Sequence, residues 1–140
     1  MKKIITSMIL TFTLVWITVI GAPIYAAAPT AGISPLAMDS YTGDFSISEQ
    51  GEVSVYYYCS GDASTVSVKV TILLEKRTLL LFWKDVQEWT INGSSSVQGV
   101  KNYSLTDSGT YRCTIVYEVT STDGTVETQE YEKQIKYDPA

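Results

Sequence analysis

Histidine is absent from the 140-residue chain, and cysteine is nearly so, with two copies. Without an imidazole there is no Ser-His-Asp or Cys-His activation of a nucleophile, and no zinc site built on histidine. Cations are also few: ten Lys and Arg stand against fifteen Asp and Glu, a net charge of −5. That balance disfavours a general electrostatic hold on nucleic acid or anionic lipid. A glycine-rich phosphate loop and an EF-hand calcium loop are missing as well. The sequence therefore predicts no catalytic residue, no metal ligand set and no cofactor. Paired carboxylates of the kind that serve glycoside hydrolysis remain the one catalytic option. Glu118, Glu127, Glu130 and Glu132 are read instead as solvated charges that blunt an edge strand.

What is present begins with an export signature. Met1-Lys2-Lys3 precedes an uncharged apolar run from Ile4 to Ile20 and a small-residue exit ending Ala26-Ala27-Ala28. This pattern reads as a signal peptide over residues 1–26, with cleavage after Ala28 as the alternative. The run is near the lower limit for a membrane span, so an uncleaved anchor is the competing reading. Removal leaves about 112 residues, the size of one domain. The loss of Lys2 and Lys3 leaves eight cations against fifteen acids, a charge of −7. The expectation is a secreted or envelope-associated protein with no stable membrane span after processing.

Two cysteines in an exported chain, with none left over, predict one disulfide between Cys59 and Cys113. Closing that loop would stabilise the fold by roughly 4 kcal/mol in the chain-entropy view. A pair of redox or metal-binding thiols is the alternative.

Residues 27–41 read as a flexible lead, and 42–140 as one all-β domain of about seven strands. Asp44 to Ser48 is a short first strand. Val53, Val55, Tyr57 and Cys59 share one face of the second, with Tyr56 and Tyr58 on the other. Val66, Val68, Val70, Ile72 and Leu74 alternate without a break in the third, where β-branched residues dominate. Glu75-Lys76-Arg77-Thr78 is read as the turn that follows. Leu79 to Trp89 is ambiguous: a strand needs a bulge to reconcile Trp83, Val86 and Trp89, whereas a helix would line Leu79, Trp83 and Val86 on one side. The strand is preferred. Val97 to Leu105, Gly109 to Thr120 and Val126 to Tyr137 complete the set, the last two joined at Asp123-Gly124, a pair suited to a tight hairpin.

Asp107-Ser108-Gly109-Thr110-Tyr111-Arg112-Cys113 carries the most specific motif. A Tyr two residues before a Cys, entered through Asp-x-Gly, resembles the tyrosine corner of immunoglobulin-like domains. The resemblance implies a two-sheet sandwich, a left-handed turn at Gly109, a Tyr111 hydroxyl bonded to upstream backbone, and an inter-sheet disulfide. The chain departs from the antibody pattern where a core Trp is expected about fourteen residues past the first Cys. Leu73 stands there, and Trp83 lies further on. A nearer resemblance is to small secreted proteins of Gram-positive bacteria with one β-sandwich and no assigned activity. It is carried by Leu73-Leu74-Glu75-Lys76, Trp83-x-x-Val86-x-x-Trp89, Ser104-Leu105-x-x-Ser108-Gly109-Thr110-Tyr111-Arg112 and Val116-Tyr117.

Two features suit binding. Tyr56 and Tyr58 should face away from the Cys59 side, and tyrosine offers apolar area with a hydroxyl at low entropic cost. Strand propensity alone also accounts for them. Leu80, Leu81, Phe82 and Trp83 form a run whose two faces cannot both be buried in a two-layer sandwich. Part of it is then exposed, unless the N-terminal lead or a thicker core covers it. The expected function is a non-enzymatic module that binds an unknown protein or glycan. The alternative is a structural unit that pairs with itself or with the cell envelope through an edge strand or the Leu80–Trp83 patch, and weak self-association would follow.

Overall fold

A computed structural model describes residues 37–140; the predicted signal peptide and most of the predicted lead lie outside the described residues. The described chain is seven antiparallel strands in two sheets: β1 (Met38–Ile47), β2 (Glu52–Gly61), β3 (Thr65–Thr78), β4 (Phe82–Gly93), β5 (Ser96–Ser104), β6 (Gly109–Ser121) and β7 (Val126–Tyr137). One sheet has the order β1-β2-β5 and the other β4-β3-β6-β7. In the constant-type immunoglobulin arrangement the fourth strand joins the sheet of the first two. Here β4 pairs with β3 instead.

The core follows from period-two patterning. Val53, Val55, Tyr57 and Cys59 of β2 and Tyr111, Cys113, Ile115, Tyr117 and Val119 of β6 are all buried, and every residue between them is partly exposed. Phe45 of β1 and Val70, Ile72 and Leu74 of β3 complete the interlayer contact. The deepest polar tie across the layers is Tyr117. Its ring is fully buried, and its hydroxyl donates to the Thr42 carbonyl of β1 at 2.8 Å. A Cβ on Gly43 would sit 2.6 Å from that hydroxyl, so the close approach requires glycine.

The first strand starts at Met38, inside the stretch read as lead. Its polar residues show no alternation, but their backbone pairs with β2 from Met38↔Gly61 to Ile47↔Val53. The turn read at Glu75–Thr78 is corrected as well. All four residues lie in β3, and the chain reverses at Leu79–Leu81. Leu79 to Trp89 is then a turn followed by a strand. A register shift in β4 leaves Val86 unpaired between Asp85↔Glu75 and Gln87↔Leu74. This extra residue lets Trp83 face outward while Val86 and Trp89 pack against the core.

The predicted disulfide is also corrected: Cys59 and Cys113 are free thiols, both fully buried. They face the core from opposite sheets: Cys59 in β2 is in register with Tyr41 and Val97, and Cys113 in β6 with Leu74 and Lys133. Each is held by apolar packing, with no bond between the sulfurs. Burial pushes the Cys113 thiol up to about 12. Burial, with the Glu127 carboxylate adding to it, pushes Cys59 up to about 11. Neither thiol forms a thiolate readily.

Candidate binding site at a hairpin tip

The β3–β4 hairpin ends in four consecutive apolar residues turned to solvent. Leu79 and Leu80 are each 86% exposed, Leu81 82% and Phe82 66%. β3 pairs with β6 only as far as Lys76↔Tyr111, so Arg77–Phe82 projects as a two-stranded arm with no third strand beside it. The turn itself is strained. Leu79 and Leu80 have φ of 45° and 65°, in the left-handed region. That conformation costs an L-residue with a Cβ roughly 1–2 kcal/mol. Its backbone closes on itself: the Leu81 N–H donates to the Leu79 carbonyl at 2.7 Å, and Thr78 Oγ1 donates to the Phe82 carbonyl at 3.4 Å. Strain of this kind concentrates at functional sites. Here leucine stands where a turn would ordinarily place glycine or asparagine.

The base of the arm is held by cation–π and ion-pair contacts: two guanidinium groups lie over the Trp83 ring, Arg112 at 4.2 Å and Arg77 at 5.0 Å from its centroid. Arg112 is fixed in turn by Glu75, whose carboxylate accepts from Nε at 2.8 Å and pairs with Nη2 at 2.7 Å. Glu75 is only 7% exposed, and this ion pair satisfies its charge. Arg77 also donates to Gln134 of β7 at 3.4 Å. These contacts tie β3, β4, β6 and β7 together directly behind the tip.

Alongside, the corner loop closes the same end of the sandwich. The Tyr111 hydroxyl donates to the Asp107 carbonyl at 2.7 Å, and Gly109 has φ of 153°. Lys76 lies 5.8 Å over the Tyr111 ring and 3.7 Å from the Asp107 carboxylate. A cleft of about 240 Å³ opens there, lined by Lys76, Lys84, Asp85, Tyr103 and Tyr111 among others. It is smaller than most small-molecule sites.

The candidate residues do not converge on one surface. Leu80, Leu81 and Phe82 come together at the tip, and Trp83 forms its base. Tyr56 and Tyr58 lie on the outer face of the other sheet, half-buried, with Tyr56 accepting a hydrogen bond from Gln98 at 3.2 Å. Cys59 and Cys113 lie in the core. Sequence reasoning omitted Leu79, Arg77, Lys84 and Arg112. The available signal was the segment Lys76 to Lys84, which holds three cations, four contiguous exposed apolar residues and no acid. Among the described residues, no cluster of three or more Cys, Asp or Glu side chains is arranged to hold a metal ion.

No family model matches the chain, and no curated protein does. Among solved structures, the chain is similar to the β-glucuronidase of Parabacteroides merdae, at 16% identity and a TM-score of 0.41, over 71% of this chain and 13% of that one. The chain thus spans about an eighth of that enzyme's length. Nothing about fold or activity is taken from a likeness of this size.

Proposed function

We propose that the chain is an exported, non-enzymatic binding module of immunoglobulin-like type, and that the β3–β4 arm is its contact surface. The observation that carries this reading is the tip itself. Three leucines and a phenylalanine are held out in solvent, at a cost in backbone strain, on an arm whose base carries two arginines over a tryptophan ring. A lone exposed leucine means little, but a contiguous apolar patch on a projecting element marks an interaction site. The Tyr111–Asp107 hydrogen bond and the left-handed Gly109 support the immunoglobulin-like assignment. The absence of histidine from the whole sequence supports a role without catalysis.

A photoreactive residue at position 80 tests the contact surface. Irradiation in the presence of the producing cells' envelope and medium is expected to give adducts from position 80 and none from position 123, at the far end of the sandwich. Equal labelling from both positions, or none from 80, rejects the tip as the contact.

A further inference from the structure

We propose that the occupant of this tip is a phospholipid bilayer surface, into which Leu79–Phe82 inserts; this inference rests on the tip being the contact surface. Four observations point to lipid rather than to a protein partner. The tip is convex, and its outermost side chains carry no polar group that a partner could read. Within the turn the Leu81 N–H donates to the Leu79 carbonyl, and the Phe82 carbonyl accepts from Thr78 Oγ1, which lowers the cost of bringing those groups to hydrocarbon. Trp83 sits one step behind the apolar residues, the position that interfacial aromatics take at the headgroup level. Arg77 and Lys84, both exposed, lie at the base as cations able to meet lipid phosphates, while Lys76 is engaged by Asp107.

The acidic balance of the whole chain does not oppose this locally. Glu75 is neutralised by Arg112, and Asp107 faces Lys76, which leaves Arg77 and Lys84 against the Asp85 carboxylate. Asp123 and Glu127 lie near the β6–β7 turn, at the other end of the sandwich, beyond the Debye length of about 8 Å.

The test places a single environment-sensitive dye on the whole chain, at Leu81→Cys or, as a control, at Asp123→Cys. Cys59 and Cys113 are buried, so labelling is selective. Because the readout is specific to position, it does not depend on whether residues 1–36 also bring the chain to lipid. With phosphatidylglycerol–phosphatidylcholine vesicles, emission from position 81 should rise several-fold and be quenched by lipids spin-labelled near the headgroup, while position 123 stays unchanged. Leu79→Ser with Leu80→Ser should abolish the response without altering the circular dichroism of the fold. Arg77→Gln with Lys84→Gln should weaken binding to anionic vesicles roughly tenfold or more.

A silent dye at position 81, or equal responses at 81 and 123, overturns the lipid assignment. A dye response to added protein alone would assign the tip to a second copy instead. If vesicles give nothing while position 80 still crosslinks to protein, lipid fails and the contact reading survives. If both are silent, both fail.

Discussion

Tyr111 and the two cysteines show how far single residues determine this fold. The Tyr111 ring is buried, and its hydroxyl reaches a backbone carbonyl four residues upstream. Tyr111→Phe should therefore cost about 1 kcal/mol in chemical unfolding, and an unchanged midpoint would show that the bond contributes nothing. The corner was legible because its chemistry is local: a left-handed glycine, a tyrosine and a nearby carbonyl all lie within five residues. The cysteine pairing was not. Alternation shows which way a side chain points, but whether two inward sulfurs of facing sheets meet is set by loops and register that no local pattern encodes. The thiols give a pH signature. Both are raised above the ordinary thiol value, to about 11 for Cys59 and about 12 for Cys113. The unfolded chain loses these protons near pH 9, whereas the fold retains them. Stability is thus fully present below that pH and falls as pH rises toward the folded-state values, by up to about 1.4 kcal/mol per unit for each thiol. Urea titrations from pH 7 to 10.5 should show the decline, and Cys59→Ala with Cys113→Ala should flatten it. A decline of the same slope in that variant would assign it elsewhere, for example to the buried Tyr117 hydroxyl, which burial also raises.

Among the elements, β4 and its turn decide what the molecule presents. The need for a bulge was readable from Trp83, Val86 and Trp89, whose spacing fits neither two nor a clean 3.6. The turn was misplaced because propensity favours Glu-Lys-Arg-Thr over three leucines, and because left-handed leucine runs against ordinary turn chemistry. Where local preference and structure disagree, a function that requires the disfavoured residue is the natural cause. Leu80→Asn puts a residue that tolerates the left-handed region at φ 65°. It should stabilise the domain by about 1 kcal/mol while weakening contact at the tip. A variant that loses stability would show that Leu80 is there for the fold. At the base, Arg112→Ala leaves the nearly buried Glu75 carboxylate without its partner. The expected loss is about 3 kcal/mol, with Trp83 fluorescence shifting as its stacking partner goes.

At the scale of the described domain, two sheets close over an apolar core crossed by the Tyr117 to Thr42 hydrogen bond and, nearer the far end, by Met38 N–H to Glu127. Tyr117→Phe strands the Thr42 carbonyl and should cost about 1–3 kcal/mol, without changing the tip. The seven strands were readable because each carries its own period-two signal and a turn at its end. Which sheet β4 joins was not readable, since both hairpin partners satisfy the same alternation. The described domain carries different chemistry at its two ends. Asp123 marks one end, and an apolar arm with a cationic base marks the other. A contact made at one end of the sandwich, outside the buried core, should let stability and binding separate in variants.

Leucine methyl spectra of the whole chain, recorded during titration with envelope material from the producing cells, test the tip most directly. The described leucines outside it are Leu73, Leu74 and Leu105, all partly or fully buried. We predict that the methyls of Leu79, Leu80 and Leu81 shift or broaden together while those three hold still. Perturbation confined to Leu73, Leu74 or Leu105, with the tip leucines unmoved, would contradict the assignment.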